Sequence, residues 1–388
     1  MPSGQIELHE PPVMSESTPT PGGGMMTYIP MALMSGAMVL LYTGPGASSS
    51  PMTYLVVGGV AVAMVTMILG QVMRGGAERK QKLKGARRDY LRYLGGVRRK
   101  VRGAVAAQQQ ALAWRHPHPG SLWSFARTSR LWERRTSDED FGEVRLAVGE
   151  QRLTMQLTTS SSRPVEDLDP LSAHALRAFI QAYSTVLDQP IAIFLPAWAR
   201  VLMRGERQET LPAARALVAQ LSVMHSPEDL VLAFCLSQEH REEWEWVKWL
   251  PHVQRPDATD GAGAVRLVAH SATELEDLLG ESFTSRPPFE AGATASPDEP
   301  FTVVVVDGGQ IPVDHRLARS GYRNSVVVDL SAVLAWRPGR TTLRLDVRDG
   351  DVGLVRTDRS RKESTTRLGR ADHLGRSEAR ALARVLAP

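Results

Sequence analysis

Cysteine is nearly missing from this chain: among 388 residues there is only Cys235. A single thiol excludes an intrachain disulfide and a multi-cysteine zinc site. It stands in the apolar run LVLAFCL, which fits a buried structural thiol rather than a nucleophile. Lysine and arginine are absent from residues 1–24, so the chain opens without the basic n-region of a signal peptide. From Met25 to Met73 there is no charged residue of either sign. Two apolar segments fill that interval, MMTYIPMALMSGAMVLLYT at 25–43 and PMTYLVVGGVAVAMVTMILGQVM at 51–73, joined by the turn-forming GPGASSS. As helices they reach roughly 28–34 Å, against a bilayer core of about 30 Å. The expectation is two transmembrane helices.

Charge then returns abruptly and with one sign. Arg74, Arg79, Lys80, Lys82, Lys84, Arg87, Arg88, Arg92, Arg98, Arg99, Lys100 and Arg102 face only Glu78 and Asp89. Such a flank stays cytoplasmic, and an even number of spans places both termini on that side. The arm Arg74–Arg102 can bind anionic lipid headgroups, each cation near the surface adding about 1 kcal/mol. Nucleic acid is the weaker partner, because no recognised nucleic-acid motif accompanies the charge. Residues 1–24 read as a Pro-, Gly- and Ser-rich cytoplasmic segment, with an extended piece at Gln5–His9 able to add to a partner. Residues 74–114 read as a basic stalk helix of about 60 Å. Gly95, Gly96 and Gly103 are candidate breaks, and HPHPG at 116–120 ends it.

Residues 115–388 alternate strand and helix signals. Phe141–Val148 and Arg152–Thr158 read as a hairpin joined by Gly149–Glu150. Helices are expected at Ser172–Leu187, after Gly205 to about Met224, at Thr273–Glu281 and at Ser377–Leu386. Strands are expected at Ile191–Leu195, Ala199–Met203, Leu230–Leu236, Val265–Ala269, Phe301–Val306 and Ser325–Leu330. Uninterrupted β-branched runs such as VVVV at 303–306 suit a parallel sheet covered on both faces. Ser285–Pro300 reads as a loop. The fold class is an α/β domain behind two transmembrane helices and a stalk.

Within that domain ARVLMRGERQETLPAARALVAQL has the strand–loop–helix form of a P-loop. In GxxxxGK[ST], backbone amides cradle phosphates, the Lys reaches the terminal phosphates and the hydroxyl holds magnesium. Here Gly205 is followed by Thr210 in the second glycine position, Leu211 in the Lys position and Pro212 in the hydroxyl position. Glu206 and Glu209 would repel phosphate. Val303–Asp307 has the form of a Walker B strand, with Asp307 as its carboxylate. An ordinary α/β domain with no nucleotide ancestry fits these residues equally well. The expectation is a degenerate site: no catalytic residue, no metal and no cofactor bound by this segment.

Other candidates carry less. His116 and His118 lack a third ligand and fit a turn at the stalk–domain junction. Trp244, Trp246 and Trp249 fit core packing better than a partner patch. Arg130, Trp132, Glu133 and Arg134 suit ion pairs that fix the expected hairpin. His225 and His252 have no catalytic support.

Longer stretches carry a resemblance. In order they are GQIELHEPP at 4–12, RRDYLRYL at 87–94, ALAWRHPHPGSL at 111–122, SRLWERRTSDEDFGEVRLAVG at 129–149, HSPEDLVLAF at 225–234 and WEWVKWLPHV at 244–253. Together they resemble the N-terminal portion of the EccC family, membrane-anchored FtsK/SpoIIIE-type ATPases of actinobacterial type VII (ESX) secretion. The resemblance covers essentially the whole chain. It implies two transmembrane helices, a stalk and a first ATPase-like domain with a degenerate site. It also implies further domains that use Mg-ATP and take secreted substrates, expected beyond Pro388. It places the chain in the bacterial inner (plasma) membrane, with other type VII subunits and further copies of itself as partners. An anchor of an FtsK/SpoIIIE-class DNA translocase is the alternative.

Overall fold

The computed structural model describes residues 3–14, 51–159, 163–261, 263–292 and 299–387. It divides into two compact units, Pro2–Ala104 with Thr154–Ser184, and Val105–Leu153 with Thr185–Pro388. The sequence reading ran one domain through 115–388; in the structure residues 154–184 group with the first unit instead.

The first unit is built around a helix and a two-stranded sheet. Gly4–Leu8 pairs in parallel with Met155–Thr159. The extended piece expected at Gln5–His9 to add to a partner thus finds its strand within the chain. His9 stacks on Tyr93 at 4.4 Å, and the Tyr90 hydroxyl donates to the His9 carbonyl at 3.0 Å. Asp169 caps the helix Pro170–Tyr183 by accepting from the Ser172 amide at 3.1 Å. Arg87 donates to both Asp169 oxygens, its Nε at 2.9 Å from each. That cation and the cap hydrogen bonds hold the Asp169 carboxyl below the usual carboxylate range.

Pro51–Arg115 forms one unbroken helix of 65 residues. Gly95, Gly96 and Gly103 do not break it, because Tyr90, Leu94, Val97, Val101 and Ala104 bury one stripe at alternating spacings of four and three. The three glycines lie on the open face, where an added Cβ would meet nothing within 4 Å. Among the described residues no helix is long and apolar enough to cross a membrane. The expected span at 25–43 lies outside the described residues, and few side chains are described within 51–73.

The second unit holds a ten-stranded sheet. Its strands are β1 (Glu143–Arg152), β2 (Thr185–Phe194), β3 (Arg200–Gly205), β4 (Leu230–Leu236), β5 (Val268–Ala269), β6 (Phe301–Asp307), β7 (Ser325–Asp329), β8 (Thr342–Arg348), β9 (Asp351–Thr357) and β10 (Glu363–Ala371). The spatial order is β2-β1-β10-β9-β8-β3-β7-β6-β4-β5. From β8 to β5 every neighbour is parallel; from β8 back to β2 every neighbour is antiparallel. The expected parallel sheet is found in one half of it, and the other half is antiparallel. The principal helices are α1 (Arg207–Met224), α2 (Ala272–Leu279) and α3 (Arg376–Leu386). Every residue of α1 from Thr210 to Met224 is buried, so it is the central helix of the core rather than a surface helix with one wet face.

The expected hairpin at 141–158 does not form. β1 continues through Gly149–Glu150, with a register shift against β2 at that point, and pairs with β2 and β10, while Met155–Thr159 belongs to the other sheet. Gly149 is a contact glycine, not a turn: a Cβ there would stand 1.9 Å from the Leu368 carbonyl oxygen of β10. The strand expected at 265–269 is interrupted at Leu267, with Gly263–Arg266 turned into a small hairpin with Gln254–Asp260.

Candidate functional site

The P-loop-like turn is shorter than its sequence pattern implied. β3 ends at Gly205, Glu206 is the N-cap, and α1 begins at Arg207. Gly205 has φ +151°, and a Cβ on it would lie 1.9 Å from the Val347 carbonyl oxygen of β8. This glycine is needed for close strand approach, not for wrapping a phosphate. Thr210, Leu211 and Pro212 lie inside the helix and are buried. The loop of four residues that forms a phosphate cradle is absent, because those residues are the first turn of α1. These positions do not fit Mg-ATP: no Lys or hydroxyl is presented, and no loop encircles a phosphate.

Asp307 ends β6 with its side chain fully buried. One strand, β7, separates it from the strand that carries Gly205. Arg207 donates Nη1 to Oδ1 at 2.8 Å and Nη2 to Oδ2 at 2.9 Å, a bidentate pair. Trp244 Nε1 donates to Oδ2 at 2.9 Å, and His240 Nδ1 lies 2.9 Å from Oδ1. Oδ2 therefore accepts twice and Oδ1 once, and His240 Nδ1, which also meets the Asp307 main-chain carbonyl at 3.1 Å, stands beside Oδ1. Hydrogen bonding to Asp307 holds Arg207 above the usual guanidinium value. The neighbouring strand end is closed in the same manner. Asp329 of β7 accepts from Arg204 Nη2 at 2.9 Å, the Leu334 amide at 2.8 Å and the Ser331 amide at 3.1 Å.

Gly205, Thr210, Leu211, Pro212 and Asp307 are thus brought to one end of the parallel strands, as the sequence placed them. Arg207 was missed. The sequence reading saw no cation opposite the phosphates, yet Arg207 sits at the first helical position, aimed at the acid. Its signal was available: it is the only cation in Glu206–Pro212, two residues past the strand end.

The remaining candidates are structural. Trp244 and Trp246 are buried, while Trp249 is partly exposed. His118 caps a short turn by accepting from the Gly120 amide at 3.0 Å. His116 is buried with Nε2 at 3.4 Å from Glu143. Arg130 pairs with Glu133, stacks over Trp114 at 4.0 Å and donates to the Trp114 carbonyl. Arg134 donates to the backbone carbonyls of Glu143 and Arg115, so this group ties the end of the long helix to β1 rather than to a hairpin. His225 Nε2 accepts from the Gly142 amide at 2.9 Å, and its Nδ1 faces the Leu221 carbonyl at 3.1 Å. His252 Nε2 faces the His225 carbonyl at 2.8 Å. Burial pushes His225 down to about 3 and His252 to about 4, so both are neutral pins. The Cys235 thiol is buried and pushed up to about 12. Among the described residues no group of three or more His, Cys, Asp or Glu could hold a metal.

These features define a P-loop-like α/β domain in which the chain's own arginine takes the strand-end acid. No family model matches the chain. An ESX secretion system protein EccC from Thermomonospora curvata is 45% identical over 389 residues, covering 100% of this chain and 29% of that protein. The ESX-4 secretion system protein EccC4 of Mycobacterium tuberculosis is 36% identical over 216 residues, 56% of this chain and 18% of that protein. The chain is a homologue of the EccC proteins of ESX secretion systems. It spans less than a third of the length of these relatives. Among solved structures, the cytoplasmic domain of the Thermomonospora curvata type VII secretion ATPase EccC aligns over 70% of this chain and 34% of that one. The TM-score is 0.34 and the identity 12%, a level that carries no argument.

Proposed function

We propose that this chain is the membrane-anchoring, stalk and pseudo-ATPase part of a type VII secretion motor subunit. Its role is mechanical: it couples ATP-hydrolysing domains, held elsewhere in such a subunit, to the membrane channel. One observation carries the reading. α1 starts two residues after Gly205, and Arg207 occupies Asp307 where a magnesium–phosphate group would sit. The strand–turn–helix framework is retained while both ligand-holding devices are replaced by internal contacts.

Homology to EccC supports a place in a multi-subunit secretion complex, with other membrane subunits and further copies of the chain as neighbours. The charge-free segments 25–43 and 51–73 and the basic flank support two spans of the bacterial plasma membrane, with both termini cytoplasmic. The exposed cations Lys80, Lys82, Lys84 and Arg88 are then available to anionic headgroups.

Calorimetry of the full chain with Mg-ATP tests the pseudo-ATPase reading. No binding heat is expected. A low-micromolar dissociation constant that disappears on Asp307→Ala would overturn it. The topology has its own test in a Cys235→Ser background, with single cysteines at Ser3 and Ser49. A membrane-impermeant thiol reagent should label position 49 from outside and spare position 3; the reverse pattern sinks the two-span arrangement.

A further inference from the structure

The parallel strands have a second end. At the amino ends of β4 and β6, away from Leu236 and Asp307, lies a cavity of about 510 Å³. Its apolar lining includes Val231, Leu267, Leu278, Leu279 and Phe283. A volume of this size suits a small organic ligand rather than a solvent molecule. Arg286 also lines it and is only 4% exposed.

Arg286 is poorly matched for so buried a charge. Its Nη1 donates to Thr302 Oγ1 at 3.2 Å and to the Asn324 carbonyl at 3.3 Å. Its Nε donates to the Ser282 carbonyl at 3.4 Å. All three acceptors are neutral and all three bonds are long. The carboxylate it pairs with, Glu299, stays 3.9 Å away and gives its other oxygen to Arg323 at 2.7 Å. Burial pulls Arg286 below the usual guanidinium value, Glu299 opposes that only in part, and Arg323 reinforces it. A desolvated cation whose nearest carboxylate stands 3.9 Å away is costly, so Arg286 lacks a close charged acceptor. Arg255 brings a second guanidinium to the wall, with Nη1 donating to the Leu278 carbonyl at 3.2 Å. Glu228 and Glu281 also line the cavity, and they disfavour a ligand of multiple negative charge.

We propose that this cavity binds a carboxylate carried on an apolar group. The carboxylate sits against Arg286, and the apolar body lies against Leu278, Leu279 and Phe283. One negative charge completes the arginine, and the hydrocarbon fills a wall that offers little else to a hydrophilic anion. The site is separate from the Asp307 end and does not depend on how that end treats nucleotides.

The test uses the full chain in lipid nanodiscs, with empty nanodiscs as the control for partitioning. The probes are 3-phenylpropionate, its neutral amide, N-acetyl-leucine and inorganic phosphate, followed by calorimetry and ligand-observed NMR. The acid should bind at least about tenfold more tightly than its amide, the difference a charge-assisted bond supplies, and phosphate should not compete. Arg286→Gln should weaken the acid by at least about tenfold. Should that variant fail to fold, Leu278→Trp, which fills the cavity from a partly exposed position, should abolish binding while leaving the unfolding midpoint in place. N-acetyl-leucine binding more tightly than phenylpropionate assigns the site to a peptide-type carboxylate; the opposite order assigns it to a free small acid. Equal binding of acid and amide, competition by phosphate, or full binding by a folded Leu278→Trp protein would each overturn the proposal.

Discussion

At the carboxyl ends of the parallel strands Arg207 meets Asp307 through two bonds of 2.8 and 2.9 Å; at the amino ends Arg286 and Glu299 come no closer than 3.9 Å. Both arginines lie beside a strand terminus of β6, and both answer a buried or half-buried polar demand. At the first end the carboxylate is the buried partner and both of its oxygens accept from Arg207, with Trp244 donating to one of them as well. At the second end the cation is the buried partner and its acceptors are neutral carbonyls and a hydroxyl. The first end is closed as a piece of structure. The second is left with an electrostatic need that a ligand can meet. A buried charge therefore says little by itself; what matters is whether the chain has already neutralised it.

The comparison is broken most severely at Asp307. Arg207→Ala leaves a fully buried carboxylate with only Trp244 and His240, and should destabilise the protein by about 3 kcal/mol, the low end for breaking a buried pair because Arg207 is partly open to solvent. Urea unfolding reads this directly. The paired replacement Arg207→Met with Asp307→Leu should recover most of the loss, since it leaves no charge unpaired.

Next in size is an acid-pH effect that the strand ends do not share. His225 and His252 titrate at about 3 and about 4 in the folded protein, below the unfolded value. The unfolded chain therefore binds protons first as the pH falls through about 6.5, and stability drops there and continues to drop towards the folded values. Two such groups remove about 2–3 kcal/mol between pH 7 and pH 5.5. His225→Asn and His252→Asn should each flatten the pH dependence of the urea midpoint by about half.

Smaller again is the amino end. Thr302→Val removes one neutral acceptor of Arg286 without changing side-chain shape, at a cost of about 1 kcal/mol by urea unfolding. The smallest expected response is to Mg-ATP, which should not move the melting temperature of the full chain; a ligand that binds only the folded state would raise it. A clear rise would mean that the Arg207–Asp307 pair opens to admit nucleotide.

Much of the parallel half was legible in sequence. Phe301–Asp307, Leu230–Leu236 and Ser325–Asp329 are continuous apolar runs because both faces of the sheet are covered there. The antiparallel strands β8 to β10 were not anticipated, since TLRLDVR and ESTTRLGRA scatter charge and hydroxyls through the strand. They pair with one another locally, β8 with β9 through the turn Asp349–Gly350 and β9 with β10 through residues 358–362, while β3 and β1 meet their outer edges from far away in sequence. Gly149 misled because a glycine that lets two backbones touch is indistinguishable, in sequence, from one that makes a turn. At the site, the positions of Gly205 and Asp307 were readable from the strand patterns. The helix was also expected directly after Gly205, as found; what the P-loop alignment hid is that residues 207–209 are its first turn rather than a loop, and that Arg207 finds an acid there.

The helical state of the first turn also decides what editing the motif would achieve. Substituting Gly, Lys and Ser at Thr210, Leu211 and Pro212 would restore the letters of a P-loop and place a lysine where Leu211 is now 6% exposed. The residues between Gly205 and Thr210 form the N-cap and first turn of α1, so the restored letters would stand inside a helix with no loop to wrap a phosphate. The new lysine would be a desolvated charge in the core before it could serve any ligand, and the edited protein should lose stability without gaining a nucleotide site.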